Sequence, residues 1–412
     1  MIDLKAARQD PDGYRAALAR RGAAADFDRL IAADAIWREH TERAESLRAE
    51  QKRASKGKPG PEELAQLKEL SARIEIALAD QTQAAQFRDE ILAVIPNVPD
   101  PSAADGMDEE DAQLVRTWGE PPIFGFTPKD HIELGSSRGW IDMARGARLS
   151  GSRFAYRFGD VATTEFALYQ FVIHKLRGKG FMFVLPPILV GERAMYGTGF
   201  LPTEESNLYR LEKDDLYLTG TSEVALAGIH SEERLESDEL PAKYTAFTTN
   251  FRREAGAAGK DTRGMFRVHQ FDKVEMYVYC VPEQSREIHE ELLAHEEEIV
   301  QELGLPYRVM NIAVGDLGAP AAKKYDIEAW FPTQERYREI TSCSNTTDYQ
   351  ARRLNIKFRR DGKLEFVHTL NGTGATARAL LSIMENFQDE GGKIAVPEVL
   401  RPFGAPVSIG KL

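Results

Sequence analysis

The chain has 412 residues, more than one ordinary hydrophobic core accommodates, so we expect two or three folding units. Hydrophobic residues make up 42% and charged residues 29%, which excludes a disordered or membrane-embedded chain and favours a soluble globular protein. No apolar run reaches the roughly 18 residues that a membrane span needs. The opening residues MIDLKAARQD carry charges where a signal peptide is apolar, so we expect a cytoplasmic protein. Two cysteines, Cys280 and Cys343, are too few for a disulfide framework.

The charge is distributed unevenly. A net charge of −12 argues against indiscriminate binding of nucleic acid, because phosphate backbones are bound mainly by a local density of Lys and Arg. Residues 36–60 instead carry a net positive charge, because this segment has seven basic and four acidic side chains, a local net charge of 7 − 4 = +3. The basic residues are Arg38, Arg43, Arg48, Lys52, Arg53, Lys56 and Lys58.

The same region is predicted to form a long helical hairpin after a short opening helix. A first helix is expected from about Phe27 to Ala54 and a second from Pro61 to Ile95, joined by the helix-breaking KGKPGP. The hairpin would be about 40 to 50 Å long at 1.5 Å per residue. Its alternative role is that of a coiled-coil dimerisation or spacer element. The periodic apolar or small residues are Leu30, Trp37, Ala44 and Leu47 in the first helix and Leu64, Leu67, Ile74, Leu78, Ala85 and Leu92 in the second.

The composition and pattern of the sequence change after the hairpin. The segment IPNVPDPSAADG has the composition of a linker, so we predict an arm domain at residues 1–110 and a second domain at residues 111–412. The second domain contains β-rich runs such as LPAKYTAFTTNFRR and FRVHQFDKVEMYVYC, which are not spaced as repeated βαβ units. This pattern predicts an α+β fold with a largely antiparallel sheet flanked by helices.

No phosphate loop of the G-x-x-x-x-G-K-[ST] type is present. NGTGATAR, beginning at Asn371, mimics a dinucleotide fingerprint, but only about 35 residues follow it, too few to complete such a fold. Its glycines indicate a close approach of the backbone to a neighbouring group, before a helix that carries Arg378 in its first turns. A purely structural turn is the alternative.

The stretch from Phe251 to Met276 concentrates cationic side chains on a strand, loop, strand pattern. Arginines gathered on one face of a sheet are suited to phosphate oxygens, and Glu254 could hold one of them or a base amine. A solvated charged hairpin is the alternative. The charged residues are Arg252, Arg253, Glu254, Lys260, Arg263, Arg267 and Lys273.

This stretch, FRREAGAAGKDTRGMFRVHQFDKVEM, resembles motif 2 of class II aminoacyl-tRNA synthetases in the form found in seryl-tRNA synthetases. GFMFVLPPILV resembles motif 1, with Pro187 as its proline, and NGTGATARALLSIMENFQ resembles motif 3, with Arg378 as its arginine. TGTSEV and REITSCSNTTDYQARR resemble the segments of this family that recognise serine and a metal ion. MIDLKAARQDPDGYRAAL and the helical hairpin resemble its N-terminal tRNA-binding arm, so the likeness covers nearly the whole chain.

The resemblance implies an ATP site. Arg252 would bind the α-phosphate and the serine carboxylate, and Arg378 would meet the γ-phosphate, which makes these two arginines the catalytic residues. Glu254 would accept from the adenine amino group, Val268 would contact the base through its backbone, and Phe271 would stack on the ring. Glu339 and Ser342 would hold Mg²⁺. The implied ATP-binding set is Arg252, Arg253, Glu254, Val268, Phe271, Glu339, Ile340, Thr341, Ser342 and Arg378.

The resemblance also implies a serine pocket. Buried carboxylates suit the ammonium group, and a site with acceptors for a hydroxyl penalises alanine because those acceptors would stay unpaired. Threonine would be excluded by shape. Thr373 stands where the family often has Ser, which keeps the hydroxyl and adds a methyl group. The implied serine-binding residues are Thr221, Ser222, Glu223, Glu275, Asn371 and Thr373.

The implied activity is formation of seryl-adenylate from L-serine and ATP, followed by transfer of serine to the 3′ end of tRNA(Ser) and also tRNA(Sec). A homodimer with motif 1 at its interface is implied as well. One rival is a serine ligase that loads a carrier protein or a biosynthetic intermediate, although such homologues tend to lose the arm. A second rival is a coiled-coil scaffold with an inactive synthetase domain. Such a protein would be expected to have lost the characteristic residues of the synthetase motifs. The sequence is silent on whether the chain is an inhibitor-tolerant duplicate.

Overall fold

The structure is a computed structural model that describes residues 1–56, 60–255, 261 and 263–410. Lys58 and Lys260, two of the basic residues named above, lie outside the described residues. The chain forms two compact units, Met1–Val98 and Pro99–Leu412, so the change from one to the other falls within the proline-rich segment. Within the described ranges, no helix is long and apolar enough to cross a membrane.

In its described residues the first unit is built from four helices, and the predicted helical hairpin is confirmed. Pro61 begins the second long helix, where Glu63 accepts a hydrogen bond of 2.8 Å from the backbone N–H of Gly60. Two short helices precede the hairpin where one was expected. The helices are α1 (Leu4–Gln9), α2 (Pro11–Ala19), α3 (Ala24–Ala54) and α4 (Pro61–Val94).

The two long helices pack along a narrow seam. Near its middle, Gln81 donates to the Thr41 hydroxyl at 3.0 Å, and the Arg88 guanidinium lies 4.1 Å from the centre of the Trp37 ring. The exposed faces on either side of the seam carry the basic residues of α3. The seam therefore holds the hairpin together while leaving its positive charges available. Its buried residues are Ala44, Leu47, Leu70, Ile74 and Ala77.

The second unit contains eight helices and eighteen strands in its described residues. The helices are α5 (His131–Ser137), α6 (Met143–Ser150), α7 (Gly159–Gly178), α8 (Glu192–Thr198), α9 (Ser222–Ala227), α10 (Ser285–Glu302), α11 (Tyr349–Leu354) and α12 (Ala377–Asn386). The strands are β1 (Gln113–Trp118), β2 (Ile141–Asp142), β3 (Tyr156–Arg157), β4 (Met182–Val184), β5 (Leu189–Gly191), β6 (Tyr209–Leu211), β7 (Leu216–Leu218), β8 (Arg234–Glu236), β9 (Ala242–Phe251), β10 (Gln270–Cys280), β11 (Tyr307–Asn311), β12 (Lys323–Phe331), β13 (Arg336–Thr347), β14 (Lys357–Arg360), β15 (Lys363–Phe366), β16 (His368–Thr376), β17 (Ile394–Ala395) and β18 (Ser408–Ile409).

Eight of these strands form one sheet in the order β1-β11-β12-β13-β16-β10-β9-β4. Every neighbouring pair is antiparallel except β4 and β9, which run parallel. The predicted α+β fold with a largely antiparallel sheet is therefore confirmed.

The two faces of the central strands have opposite character. Side chains such as Met276 and Val278 on β10 and Leu370 on β16 enter a large core shared with α7, α10 and α12. The side chains between them, such as Glu275, point to the other face, because successive residues of a strand alternate in direction. Helices α7, α10 and α12 thus cover one face, whereas the other face carries polar groups such as Glu275 beside a smaller apolar cluster of Tyr277 and Tyr279 with α9 and α11.

Two glycines of the NGTGATAR segment let helices approach this sheet closely. A Cβ atom on Gly374 would lie 2.7 Å from Val172 Cγ1 of α7, and one on Gly372 would lie 3.0 Å from Glu296 Oε1 of α10. Both distances are shorter than ordinary van der Waals contact, so only glycine fits without displacement of a neighbour. The expected close approach at this segment is that of helices packed behind the sheet.

We expect Gly374→Ala to lower the unfolding temperature of the second unit, because the added methyl overpacks the core at a cost of about 1–3 kcal/mol. Gly178→Ala is the matched control, since nothing lies within 4 Å of its Cβ position at the end of α7. Differential scanning calorimetry of both variants measures the effect. Equal unfolding temperatures for the two variants would contradict this account of the packing.

Candidate active site

A cavity of about 400 Å³ opens on the polar face of the sheet. Strands β10, β13 and β16 supply its floor, and the first turns of α9 and α12 supply parts of its wall. It is lined by every residue that the sequence predicted for serine, ATP and metal binding except Ser222 and Arg253. These lining residues are Thr221, Glu223, Arg252, Glu254, Val268, Phe271, Glu275, Glu339, Ile340, Thr341, Ser342, Asn371, Thr373 and Arg378.

One end of the cavity is built around the buried carboxylate of Glu275. Its Oε2 accepts a hydrogen bond of 2.6 Å from the hydroxyl of Thr221 and a longer one of 3.4 Å from Ser222. The ammonium group of Lys273 forms an ion pair with the same oxygen and donates to the Thr221 hydroxyl at 2.7 Å. Ser222 therefore supports Glu275 by a hydrogen bond without lining the cavity itself. Thr373 lies directly opposite Glu275 in the pairing of β10 with β16.

A second carboxylate, that of Glu223, stands beside the first. Its Oε1 accepts hydrogen bonds of 2.8 Å from the side-chain amides of Gln350 and Asn371. Burial and the nearby charge of Glu275 raise the pKa of Glu223 to about 7, because no cation pairs with it among the described residues. This end of the cavity is thus an acidic pocket in which one carboxyl group titrates near neutral pH.

The other end of the cavity carries arginines on aromatic rings. The Arg252 guanidinium lies 5.2 Å from the centre of the Phe271 ring, and its Nε donates to the Gly220 carbonyl at 3.1 Å. Arg378 lies 4.5 Å from the centre of the Phe266 ring and donates to the Glu339 carboxylate at 3.0 Å. The rings and acceptors hold both guanidinium groups at the cavity wall, a geometry suited to anionic oxygens.

The side chains of Arg253 and Glu254, the two residues after Arg252, point in different directions. The Glu254 carboxylate accepts a hydrogen bond of 2.5 Å from Arg267 and lines the cavity. Arg253 points away from it, donating to the Leu208 carbonyl at 2.9 Å and lying 5.0 Å from the centre of the Tyr209 ring. The sequence placed Arg253 among the ATP contacts, but its guanidinium is occupied in holding this neighbouring loop.

Glu339 and Ser342, the residues predicted to hold a cation, both belong to β13 and line the cavity. Burial alone would raise the pKa of Glu339, but the cations of Arg378 and Lys324 lower it to about 2, so this carboxylate is ionised at neutral pH. Thr341, between them, turns its hydroxyl behind the sheet and donates to Glu296 at 3.0 Å. No cluster of three or more His, Cys, Asp and Glu ligands occurs in the described ranges.

Three polar groups in or behind the cavity were not assigned a role from the sequence. Lys273 stands two residues before Glu275 on the same strand, so the period of two could have placed both on one face. Gln350, on α11, donates to Glu223 from outside the cavity lining, and Lys324, on β12, lines the cavity. Both come from distant parts of the chain, and no local pattern marks them.

An antiparallel sheet whose polar face joins an acidic pocket to arginines at the end of β9 and at the start of α12 defines the core of a class II aminoacyl-tRNA synthetase. The family model described as tRNA synthetase class II core domain (G, H, P, S and T) matches residues 207–387. The model described as Seryl-tRNA synthetase N-terminal domain matches residues 1–99.

The relatives of the chain narrow this class. It is 48% identical over 411 residues to the serine–tRNA ligase of Corynebacterium glutamicum, an alignment that covers 98% of this chain and 97% of that protein. Its fold matches seryl-tRNA synthetase from Pyrococcus horikoshii complexed with ATP, with a TM-score of 0.95, 39% identity and full coverage of both chains. It also matches cytoplasmic serine–tRNA ligase from Naegleria fowleri in complex with AMP, with a TM-score of 0.89, 35% identity and coverage of 98% and 96%.

The chain belongs to the seryl-tRNA synthetase family. Its activity is that of a serine–tRNA ligase, which activates serine with ATP and joins it to tRNA.

We expect kcat/KM for serine in ATP–pyrophosphate exchange to rise with pH through a midpoint near pH 7, because only the ionised Glu223 attracts an ammonium group. Glu223→Gln should remove this limb. Glu328→Gln is the matched control, since burial also raises the pKa of Glu328, which, unlike Glu204, does not line the cavity. A flat profile in the wild-type protein would contradict the assignment. The other charged groups that line the cavity are Arg157, Arg252, Glu254, Arg267, Lys273, Glu275, Lys324, Glu339 and Arg378.

Proposed function

We propose that this single cavity forms seryl-adenylate, with serine in the acidic pocket and ATP along the two arginines. The observation that carries the proposal is that one cavity is lined both by the carboxylates of Glu223 and Glu275 and by the guanidinium groups of Arg252 and Arg378. An amino acid bound with its ammonium group among the carboxylates would direct its own carboxylate toward Arg252. That is the orientation needed for attack on the α-phosphate.

Positioning and charge stabilisation suffice for this step. The substrate carboxylate is already ionised at neutral pH, so no protein group has to remove a proton from it. Arg252 would neutralise charge that accumulates on the α-phosphate, and Arg378 would hold the γ-phosphate so that pyrophosphate leaves in line. Both guanidinium groups are held by carbonyl oxygens, Gly220 for Arg252 and Glu339 for Arg378, so little reorganisation is required.

The base of ATP would lie against Phe271 and Val268, with Glu254 accepting from the adenine amino group. Arg267 donates to one oxygen of Glu254, which keeps this acceptor oriented. Ile340 and Thr341 would contribute through their backbone on β13. Arg253 would support the segment that carries Arg252 by its contacts with Leu208 and Tyr209.

Mg²⁺ fits the ionised Glu339 and the hydroxyl of Ser342, which are the hard oxygen ligands that this ion prefers. Two protein ligands are a small set, consistent with an ion that takes further ligands from ATP phosphates and water. When bound, the ion would supply positive charge to the phosphate chain. Lys324 supplies a fixed positive charge at the same place.

Serine would be recognised by Glu223, Glu275 and Thr221, with Ser222 supporting Glu275 from behind. Asn371 and Thr373 would close the pocket from β16. Alanine would bind weakly, because it has no hydroxyl group to pair with the oxygen acceptors of the pocket. The methyl group of Thr373 narrows the space beside Glu275 and so helps to exclude threonine.

We propose that residues 1–110 form the tRNA-binding arm and residues 111–412 the catalytic domain. The exposed basic residues of α3 suit the phosphates of tRNA(Ser), and tRNA(Sec) would be bound in the same manner. A scaffold role alone would not require this basic face.

A homodimer and a cytoplasmic location complete the proposal. Phe166 of α7, Met182 of β4 and Leu185 are each more than half exposed, at 57%, 64% and 74%. Met182 and Leu185 belong to the segment that resembles motif 1, Phe166 lies on the preceding helix, and β4 is an edge strand of the sheet. Apolar side chains grouped at a sheet edge are typical of surfaces that associate. A second copy of this chain would cover them.

Arg378→Ala should reduce serine-dependent ATP–pyrophosphate exchange by at least about 100-fold, because it removes a donor to charge in the transition state. Arg401→Ala is the matched control, since this exposed arginine pairs with Glu398 and does not line the cavity. With wild-type protein, serine alone of the common amino acids should support exchange. Exchange with threonine or proline instead of serine would overturn the proposed specificity.

Changing Arg48, Lys52 and Arg53 together to Ala should raise the KM for tRNA at least about tenfold and weaken its dependence on salt, since fewer phosphates are neutralised. Serine-dependent exchange should be unchanged. The control variant changes three exposed basic residues of the second unit, Lys213, Lys363 and Arg177, which lie outside the cavity lining. Equal loss of charging and of exchange in the arm variant would contradict the proposed role.

A further inference from the structure

The two carboxylates of the acidic pocket are each saturated on one oxygen only. Glu275 Oε2 accepts hydrogen bonds from Thr221 and Ser222 and pairs with the ammonium group of Lys273. None of the described residues donates to its Oε1. Glu223 Oε1 accepts hydrogen bonds from the side-chain amides of Gln350 and Asn371. None of the described residues donates to its Oε2. Each carboxylate therefore offers one oxygen to a ligand.

The groups that saturate these oxygens differ in charge. Gln350 and Asn371 are neutral, so the negative charge of an ionised Glu223 has no counter-ion in contact. Glu275 pairs with the ammonium of Lys273, which compensates its charge. A carboxylate without a counter-ion suits a cationic group, and a compensated carboxylate suits a neutral hydroxyl.

Lys273 is held in this position by its surroundings. Its side chain is only 9% exposed, and it contacts both Glu275 and Thr221. Thr221 accepts from Lys273 and donates to Glu275, so the three groups form a closed ring of polar contacts. The oxygen of Thr221 also accepts from the backbone N–H of Glu223 at 3.2 Å, which links the ring to the second carboxylate.

We propose that Lys273 is a positioning residue that determines specificity, because it holds Glu275 with one oxygen toward the substrate hydroxyl and leaves Glu223 as the partner of the ammonium group. The inference rests on the proposed function of the cavity as the serine site. Without Lys273, Glu275 could rotate to present either oxygen, and two uncompensated carboxylates would compete for one ammonium group.

The test compares Lys273→Met, which keeps the length and loses the charge, with Lys273→Arg, which keeps the charge. In ATP–pyrophosphate exchange, Lys273→Met should raise the KM for serine at least about tenfold, the loss expected for a hydrogen bond to a charged group. The KM for ATP should change less than about twofold, because Lys273 stands at the serine end.

The pH profile separates positioning from a merely structural role. Lys273 lowers the pKa of Glu223, so its loss should move the acid limb of kcat/KM for serine to higher pH. Lys273→Arg should leave that limb in place and raise the KM for serine only about two- to fivefold, since its larger group displaces the two acceptors. An unchanged KM for serine in folded Lys273→Met would overturn the inference, as would equal increases of both KM values without a shifted limb.

Circular dichroism checks the fold of both variants. If Lys273→Met does not fold, Lys273→Gln, which also loses the charge, replaces it, and a wild-type KM for serine in folded Lys273→Gln contradicts the inference. A wild-type protein without serine-dependent exchange would instead contradict the proposed function. Wild-type activity together with an unaffected Lys273→Met would contradict only the role of Lys273.

Discussion

The site depends on the alternation of side chains along three neighbouring antiparallel strands, β10, β13 and β16. Their apolar residues face α7 and α10, and the residues between them face the cavity. Since the register of these strands is fixed by the apolar face, the polar groups of different strands acquire fixed neighbours, as Glu275 does opposite Thr373. The glycines of β16 allow the helices to pack close behind this layer, so that packing on one face determines geometry on the other.

Charge compensation then gives the two ends of the cavity different properties. Glu339 lies between the cations of Arg378 and Lys324, which lower its pKa and keep it ionised. Glu223 has neutral amides as its partners, so burial raises its pKa to about 7. In the proposed function, the same type of side chain is thus a fixed anion at the phosphate site and a titrating group in the serine pocket. This difference follows from the charges and hydrogen-bond donors beside each carboxyl group.

Much of this arrangement could be predicted from the sequence, and the remainder has a physical reason. The long hairpin followed from periodicity and from Pro61, and Arg252, Glu275 and Arg378 followed from segments that carry a family pattern. Gln350 and Lys324 could not be predicted, because their proximity to Glu223 and Glu339 arises only when distant elements pack together. The family resemblance placed Arg253 among the ATP contacts, but its guanidinium contacts Leu208 and Tyr209 and lies outside the cavity lining.

The layer behind the sheet adds a final constraint on the charge of the cavity. Glu296 of α10 is completely buried and accepts from Thr341, while burial raises its pKa well above the ordinary range. Burial therefore favours the neutral form of this carboxyl group, which ties α10 to β13. An ionised carboxylate there would oppose the negative charge of Glu275 through a low-dielectric layer. Burial of Glu296 thus leaves the field in the cavity to the residues that line it, where ion pairs such as that of Lys273 can control it.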